Sequence, residues 1–468
     1  MTPRETLQPA NGRISSEGMG IAALSMAMAM TTPTYPKRPY NESMRGRTNW
    51  STASIKSPYR SQAVPETSAL ANDMREALRA QRRADLVVGI PSFRNAATIG
   101  HVTEAASEGL RRNFPDLRAL IVNADGGSED GTPERVRASA DGVPTIAGRY
   151  QGKSGKGSAF RAIFEAVTML DAKACAVVDS DLRSITPEWI ARLIGPIVRD
   201  EADYVTPLYA RHKHDGTITN TIAYPLTRAL YGARVRQPIG GEFGFGADLA
   251  KIYLAEPVWD SDVAKFGIDI FMTTTALARG VRVAQAFLGA KIHDPKDPGA
   301  DLGPMFTQVV GTLLTLARKN ADIWRSVTGS HEVPVIGEIA PVEPEAVNAS
   351  VRVLVEKFKA GAVDQDAAWD EILSADTRDI ARKAAETGNA SAIGGRFWAK
   401  AVYEIVAAAK TREDTEALAR ALLPLYFGRV AALIGEVQGL DQAGAERVVD
   451  QQAQIFEQTK PYLLERWA

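Results

Sequence analysis

Cysteine is all but missing: Cys175 is the only one in 468 residues. An internal disulfide is therefore excluded, and a reducing compartment, the cytoplasm, is the expected location. Cys175 lies inside the apolar run Ala174-Cys175-Ala176-Val177-Val178, where inert packing rather than nucleophilic chemistry is expected of it. An excess of one charge is missing too. Lys and Arg total 55 against 56 Asp and Glu, a net charge of −1, so no basic field points to nucleic acid or an anionic membrane surface. No apolar run reaches the roughly 18 residues that a membrane span needs. The stretch 19–30 is short, weakly hydrophobic and preceded by Glu5 and Glu17, which argues against a secretory signal. No fixed-period repeat occurs. Histidine is scarce as well, with five in all; His101 and His331 suggest no role.

What remains divides into three stretches. Residues 1–68, dense in Ser, Thr, Pro and Arg, are expected to form a disordered extension. Residues 69–300 alternate helical and strand patterns. A helix over 69–83 precedes the strand Leu86-Val87-Val88-Gly89-Ile90, which Pro91 is expected to stop. A helix over 98–112 leads to the strand Leu120-Ile121-Val122, and a turn follows, with Thr132 as N-cap and Pro133 in the first helical position. A strand over 143–147, a helix over 158–170 and the strand around Cys175 continue the pattern. Such alternation indicates an α/β fold, a mostly parallel sheet with helices on both faces. From about Gly303 the texture becomes helical. Val351, Leu354, Val355 and Phe358 recur at helical spacing, as do Trp398, Val402, Ile405 and Val406. Residues 301–468 are thus read as an all-helical domain whose apolar residues are mostly core. It could equally supply a homo-oligomer interface or a lid.

The chemistry gathers where strands end. Asp179-Ser180-Asp181 follows the apolar strand directly, and two carboxylates at the carboxyl end of a parallel strand stand where α/β sheets bind ligands. Alternate side chains point the same way, so the pair suits one hard divalent cation, Mg²⁺ or Mn²⁺, which also takes substrate phosphates. A solvated turn is the alternative for a D-x-D taken alone. Pro91 and Asn95 lie just after the first strand, placed to meet a base or ribose. Asp125 ends the second, and Gly126-Gly127 allows close backbone approach. The loop Gly152-Lys153-Ser154-Gly155-Lys156-Gly157 precedes a helix, an arrangement that favours a diphosphate. A P-loop would need a glycine where Ala147 stands, so a P-loop NTPase is the weaker reading. His293, behind the strand expected over 281–287, could complete a carboxylate metal site. His212 and His214, in a basic loop, read as acceptor-side or surface groups.

In this order the motifs resemble those of GT-A glycosyltransferases, which use nucleotide-sugar donors and a divalent metal. The middle of the chain is more similar still to mannosylglycerate synthase and the related glucosylglycerate and glucosyl-3-phosphoglycerate synthases. The stretches that carry the likeness are Lys156-Gly157, Asp179-Ser180-Asp181 through Pro187-Glu188-Trp189-Ile190, and Arg211 through Asp215 to Thr219. Gln237-Pro238-Ile239-Gly240-Gly241-Glu242, Gly267-Ile268-Asp269 and Lys291-Ile292-His293 complete it, so that it covers roughly 86–300. The resemblance implies retaining transfer of a hexose, glucose or mannose, from a GDP-, ADP- or UDP-sugar to glycerate or 3-phosphoglycerate. It implies metal binding by Asp181 and His293, with Asp179 beside the metal and the donor ribose. Asp125, Lys156 and Gly157 would contact the nucleotide and diphosphate. Gly240 and Gly241 would let the sugar approach, and Glu242 and Asp269 would face it. Arg211, Asp215 and Thr219 would hold the acceptor. An inverting transfer with Glu242 or Asp269 as base stays open, as does a sugar-nucleotide-forming nucleotidyltransferase. His212-Lys213-His214 adds basicity that could admit a phosphorylated acceptor.

Overall fold

The structure, a computed structural model, describes residues 67–292, 302–340 and 342–468. The expected extension 1–68 falls almost wholly outside these residues, and so does His293. All described residues belong to one compact unit.

Its centre is an eight-stranded sheet. The strands are β1 (Leu86–Ser92), β2 (Ala119–Asp125), β3 (Thr145–Arg149), β4 (Ala174–Val177), β5 (Tyr204–Ala210), β6 (Phe243–Phe245), β7 (Val283–Ala290) and β8 (Val335–Ile336). They lie in the order β3-β2-β1-β4-β6-β5-β7-β8. All neighbours are parallel except β6, which runs antiparallel to β4 and β5. β1 and β4 are buried along their whole length, as expected of apolar strands covered on both faces.

Pro91 does not stop β1. It pairs in register with Ala124, and the strand runs on to Ser92. Gly89 accepts a bond from Val178 on the β4 side, so Pro91, two residues on, faces that side as well. The ladder with β4 ends at Gly89, and the missing N–H leaves no partner unsatisfied there. The next helix is Thr132–Ser139, so Thr132 is inside it rather than its cap. The Asp130 carboxylate accepts from both Thr132 N (3.2 Å) and Thr132 Oγ1 (2.6 Å).

Helices Ile99–Asn113 and Pro187–Val198 cover one face of the sheet. Helices Lys156–Met169, Ala247–Ala255 and Ile268–Ala278 cover the other. The helical region forms a further layer. Its core joins Leu302–Lys319, Gly395–Ala408, Thr415–Glu436 and Gln442–Trp467 to the segment from Ile218 to Tyr231 in a single apolar cluster. Trp398, Val402, Ile405 and Val406 are buried there. On Val351–Asp364, Leu354 and Phe358 are buried, but Val351, at the helix start, is 40% exposed. Thr415–Glu436 is long and apolar enough to cross a membrane, yet its apolar window is 78% buried within the protein, as in a core helix.

Candidate active site

Register brings the carboxyl ends of six strands to one edge. Ser92 lies opposite Asp125, and Asp125 opposite Arg149. Asp179 and Asp181 follow β4, Arg211 follows β5, and Lys291 follows β7. Because β6 is antiparallel, with Phe243 opposite Val177, the residues before it, Gly240 to Glu242, arrive at the same edge. A cavity of about 590 Å³ opens here, within the usual range for small-molecule sites. Pro91, Asn95, Lys156, Asp179, Asp181, Gly240, Gly241, Asp269, Arg211, Asp215 and Thr219 all line it.

Its floor is a network of buried charge. Lys156 Nζ lies 2.7 Å from Asp179 Oδ1 and 3.2 Å from Asp269 Oδ1. Lys291 Nζ lies 3.2 Å from Asp179 Oδ2 and 2.9 Å from each oxygen of Glu242, and donates to Gly240 O at 2.7 Å. Tyr209 donates its hydroxyl to Glu242. Burial pushes the Glu242 carboxyl up to about 7, with Lys291 offsetting part of that rise and Asp179 adding to it. Burial raises Asp269 too. Burial works against ionised Asp179, but Lys156 and Lys291 outweigh it and hold that carboxyl well below the usual range. Lys156 is likewise opposed by burial, and Asp179 and Asp269 keep it firmly protonated. Gly241 makes the close packing feasible. Its φ is +93°, and a Cβ there would sit 2.2 Å from Asp179 Oδ2.

Asp181 differs from its neighbour. Its carboxylate lines the cavity with no hydrogen-bond or ion-pair partner among the described residues, whereas both oxygens of Asp179 face lysines. No cluster of three or more metal-binding side chains occurs among those residues. Ile292, the residue before His293, is pinned beside the D-x-D loop: its N–H donates to Ser184 Oγ (2.9 Å), and its carbonyl accepts from Arg183 N (2.9 Å). An uncommitted carboxylate of this kind fits a hard divalent cation. Asn95 braces the loop, its Oδ1 accepting from Ser180 Oγ at 2.8 Å.

Three expected contacts are corrected. Asp125 is only 1% exposed and lies off the cavity wall. Its oxygens accept from Ser92 Oγ, Gly127 N, Ser128 N and Ser128 Oγ, so it shapes the turn rather than meeting a nucleotide. Gly157 is likewise off the wall. Its N–H donates to Lys265 O (3.1 Å), and a Cβ would lie 1.7 Å from Val263 O, so this glycine serves a backbone crossing. Gly155 N donates to Tyr150 Oη, so with Gly157 two of the loop's N–H groups are committed to protein partners, and Lys156 is the loop's side-chain contribution to anion binding. Glu242 lies behind the wall, fully buried, rather than facing the cavity.

Lys153 bonds Asp260 away from the cavity, which removes the lysine that a P-loop reading requires. Lys213 donates to Leu440 O (2.9 Å) and Val437 O (3.4 Å), and neither it nor His212 nor His214 lines the cavity, so the basicity of this loop is directed elsewhere. Lys291 and Tyr209 carry site roles that sequence reasoning missed. The available signal for Lys291 was its place directly after an apolar strand, now β7, at the edge where the other site residues gather.

Residues 87–258 match the family model Glycosyl transferase family 2. With that match on a helix-covered sheet whose carboxyl edge carries a D-x-D and a lysine-rich floor, the chain is a nucleotide-sugar glycosyltransferase of the GT-A fold. Among curated proteins it is similar to two glucosyl-3-phosphoglycerate synthases. That of Petrotoga mobilis is 25% identical over 297 residues, 55% of this chain and 82% of the relative. That of Mycolicibacterium smegmatis is 27% identical over 259 residues, 51% of this chain and 79% of the relative. A solved glucosyl-3-phosphoglycerate synthase from Mycobacterium tuberculosis, in complex with Mn²⁺, uridine diphosphate and glucosyl-3-phosphoglycerate, aligns with a TM-score of 0.41 at 25% identity, covering 55% of this chain and 86% of that one.

Proposed function

We propose that the protein transfers a hexose, glucose in preference to mannose, from a nucleoside-diphosphate sugar to glycerate or 3-phosphoglycerate, with retention and with Mg²⁺ or Mn²⁺ bound. The observation that carries this reading is Asp181, an uncommitted carboxylate beside a lysine-clamped Asp179 on a 590 Å³ cavity. Asp181 and His293 would hold the metal, with Asp179 beside it. When bound, that ion supplies positive charge to the departing diphosphate. Lys156 stands ready to stabilise the same leaving group and stays protonated between Asp179 and Asp269. Asp269 lines the cavity where the sugar would lie. Glu242, held by Lys291 and Tyr209, is occupied in a way that disfavours it as the base of an inverting transfer.

Arg211 suits the carboxylate of the acceptor. Nη1 engages Asp215 at 3.0 Å, and Nε is buried with no hydrogen-bond partner among the described residues, so the guanidinium keeps donor capacity beside the cavity that it lines. Each described cation on the cavity wall already meets a carboxylate: Lys156 and Lys291 as above, Arg211 with Asp215, and Lys265 with Asp262. A chain with a single buried cysteine suits the reducing cytoplasm.

The test is a matrix of GDP-, ADP- and UDP-linked glucose and mannose against glycerate and 3-phosphoglycerate, with Mg²⁺ or Mn²⁺. Release of nucleoside diphosphate with a glycerate-type acceptor, and an α-linked product by NMR, are expected. No release in any combination would overturn the reading, and pyrophosphate release from a nucleoside triphosphate would replace it with nucleotidyl transfer.

A further inference from the structure

The acceptor side of the cavity is held from outside the sheet. Thr219–Ala223 forms a π-helix, a geometry whose wider turn disturbs the regular carbonyl pairing and recurs at functional sites. Thr219, together with Thr217 and Ile218 just before it, lines the cavity. Carbonyls of this segment are caught by the carboxy-terminal helices. Gln452 Nε2 donates to Asn220 O (2.8 Å) and Thr221 O (3.2 Å), and Trp398 Nε1 donates to Thr221 O (2.6 Å). Gln452 is 2% exposed and cannot rotate freely. Its Oε1 accepts from Arg429 Nε at 2.5 Å, and Arg429 is locked in turn by two bonds to Glu436, 2.6 and 2.7 Å long. Ten residues earlier on the same helix, Gln442 Nε2 donates to Arg211 O (2.5 Å), gripping the backbone of an arginine that lines the cavity. Thr217 Oγ1 meets Tyr426 Oη at 2.7 Å.

We infer that helix Gln442–Trp467 is the acceptor clamp of the enzyme, with Gln442 and Gln452 acting as positioning residues that set Arg211 and the π-helix wall for the acceptor. This rests on the proposed assignment of Arg211 and Thr219 to the acceptor. Neither glutamine lines the cavity, so their effect is exerted through the backbone that they hold. Among the described residues, the donor side (Lys156, Asp179, Asp269) receives no hydrogen bond or ion pair from this helix.

The inference is tested with full-length Gln442→Ala, Gln442→Glu and Gln452→Leu, using the donor and acceptor pair that the wild type accepts. For Gln442→Ala, loss of one backbone-directed hydrogen bond is expected to raise the acceptor KM about three- to tenfold, with the donor KM unchanged. Gln442→Glu cannot donate, and its carboxylate would face the Arg211 carbonyl acceptor to acceptor, so the acceptor KM should rise at least as much as in Gln442→Ala. Gln452→Leu should raise the acceptor KM further; if it does not fold, the partly exposed position 442 still decides the matter. A purely structural role predicts the opposite pattern: a lowered melting temperature with both KM values unmoved or moved together. Either that pattern, or an unchanged acceptor KM in Gln442→Ala, overturns the clamp. A wild type that turns over no donor and acceptor pair is a different failure, that of the functional reading itself.

Discussion

The two edges of one sheet handle charge in opposite ways. At the amino edge of β1 and β2, Asp85 accepts from Arg118 Nε (2.9 Å), Nη2 (3.0 Å) and the Arg118 backbone N–H (3.1 Å). One carboxylate meets one guanidinium, and the Asp85 backbone carbonyl also accepts from Lys173 and Ala174, tying in the start of β4. At the carboxyl edge three carboxylates share two lysines in a mostly buried floor, and a fourth, Asp181, has no partner among the described residues. The carboxyl edge instead keeps an excess of negative charge and a half-ionisable Glu242, a costly arrangement that a bound cation and an anionic leaving group can relieve. The amino edge illustrates charge used to fasten strands, and the carboxyl edge charge held ready for a ligand.

The sharpest way to break this contrast is Asp181→Ala. Turnover should fall about 10²–10³-fold, with the melting temperature unchanged because no hydrogen bond or ion pair among the described residues is lost; near-normal turnover would move the metal site elsewhere. Next is Lys156→Met, which leaves Asp179 and Asp269 facing each other. Chemical denaturation should show a loss of about 2–4 kcal/mol, below the range for a fully dry pair because the lysine keeps some solvent contact, and donor binding should fail. Lys153→Ala, three residues earlier in the same loop, should change stability by less than about 0.5 kcal/mol and leave turnover intact. Equal effects at the two positions would erase the distinction drawn between them.

Gly241→Ala sets a Cβ against Asp179 and strains a left-handed backbone. A loss of about 1–3 kcal/mol is expected in denaturant titration, together with reduced turnover. The smallest effect belongs to the amino edge. Bonds from Arg118 lower the Asp85 pKa from 3.8 to about 2, against the opposing push of burial. A depressed carboxyl stabilises the fold above pH 3.8, and its contribution disappears as the pH falls through about 2. Asp85→Asn should therefore cost about 1–2 kcal/mol at pH 7, discounted for the exposed arginine, and nothing below pH 2. Turnover should be unaffected. A pH-independent difference would assign the loss to packing instead.

The local parts of this architecture were legible in the sequence. Apolar runs ending in Asp or in Asp-Ser-Asp announce strands whose carboxyl ends carry chemistry, and Lys156 could be read from its place before a helix. Residues whose meaning depends on distant partners were not. Asp125 looks like a ligand contact until four donors from its own turn and from Ser92 are seen to fill it. Glu242 looks like a sugar contact until the antiparallel entry of β6, a strand of three residues too short to announce itself, places it beneath the wall. Lys291 was visible only as a neighbour of His293, since its three carboxyl and carbonyl partners come from residues 49 to 112 positions away. Most of the region after 301 folds as the expected helices, but it is not all-helical, since Val335–Ile336 leaves it to add β8 to the sheet edge beside β7; nothing in its periodicity indicated that, or that Gln442 and Gln452 reach back to the acceptor wall.

The most direct test of the central claim is calorimetric binding of UDP, GDP and ADP, each with Mn²⁺ and with chelator, to the wild type and to Asp181→Ala. At least one nucleotide should bind the wild type only when metal is present, and that binding should vanish in Asp181→Ala. Nucleotide affinity indifferent to both the chelator and the substitution would contradict the account.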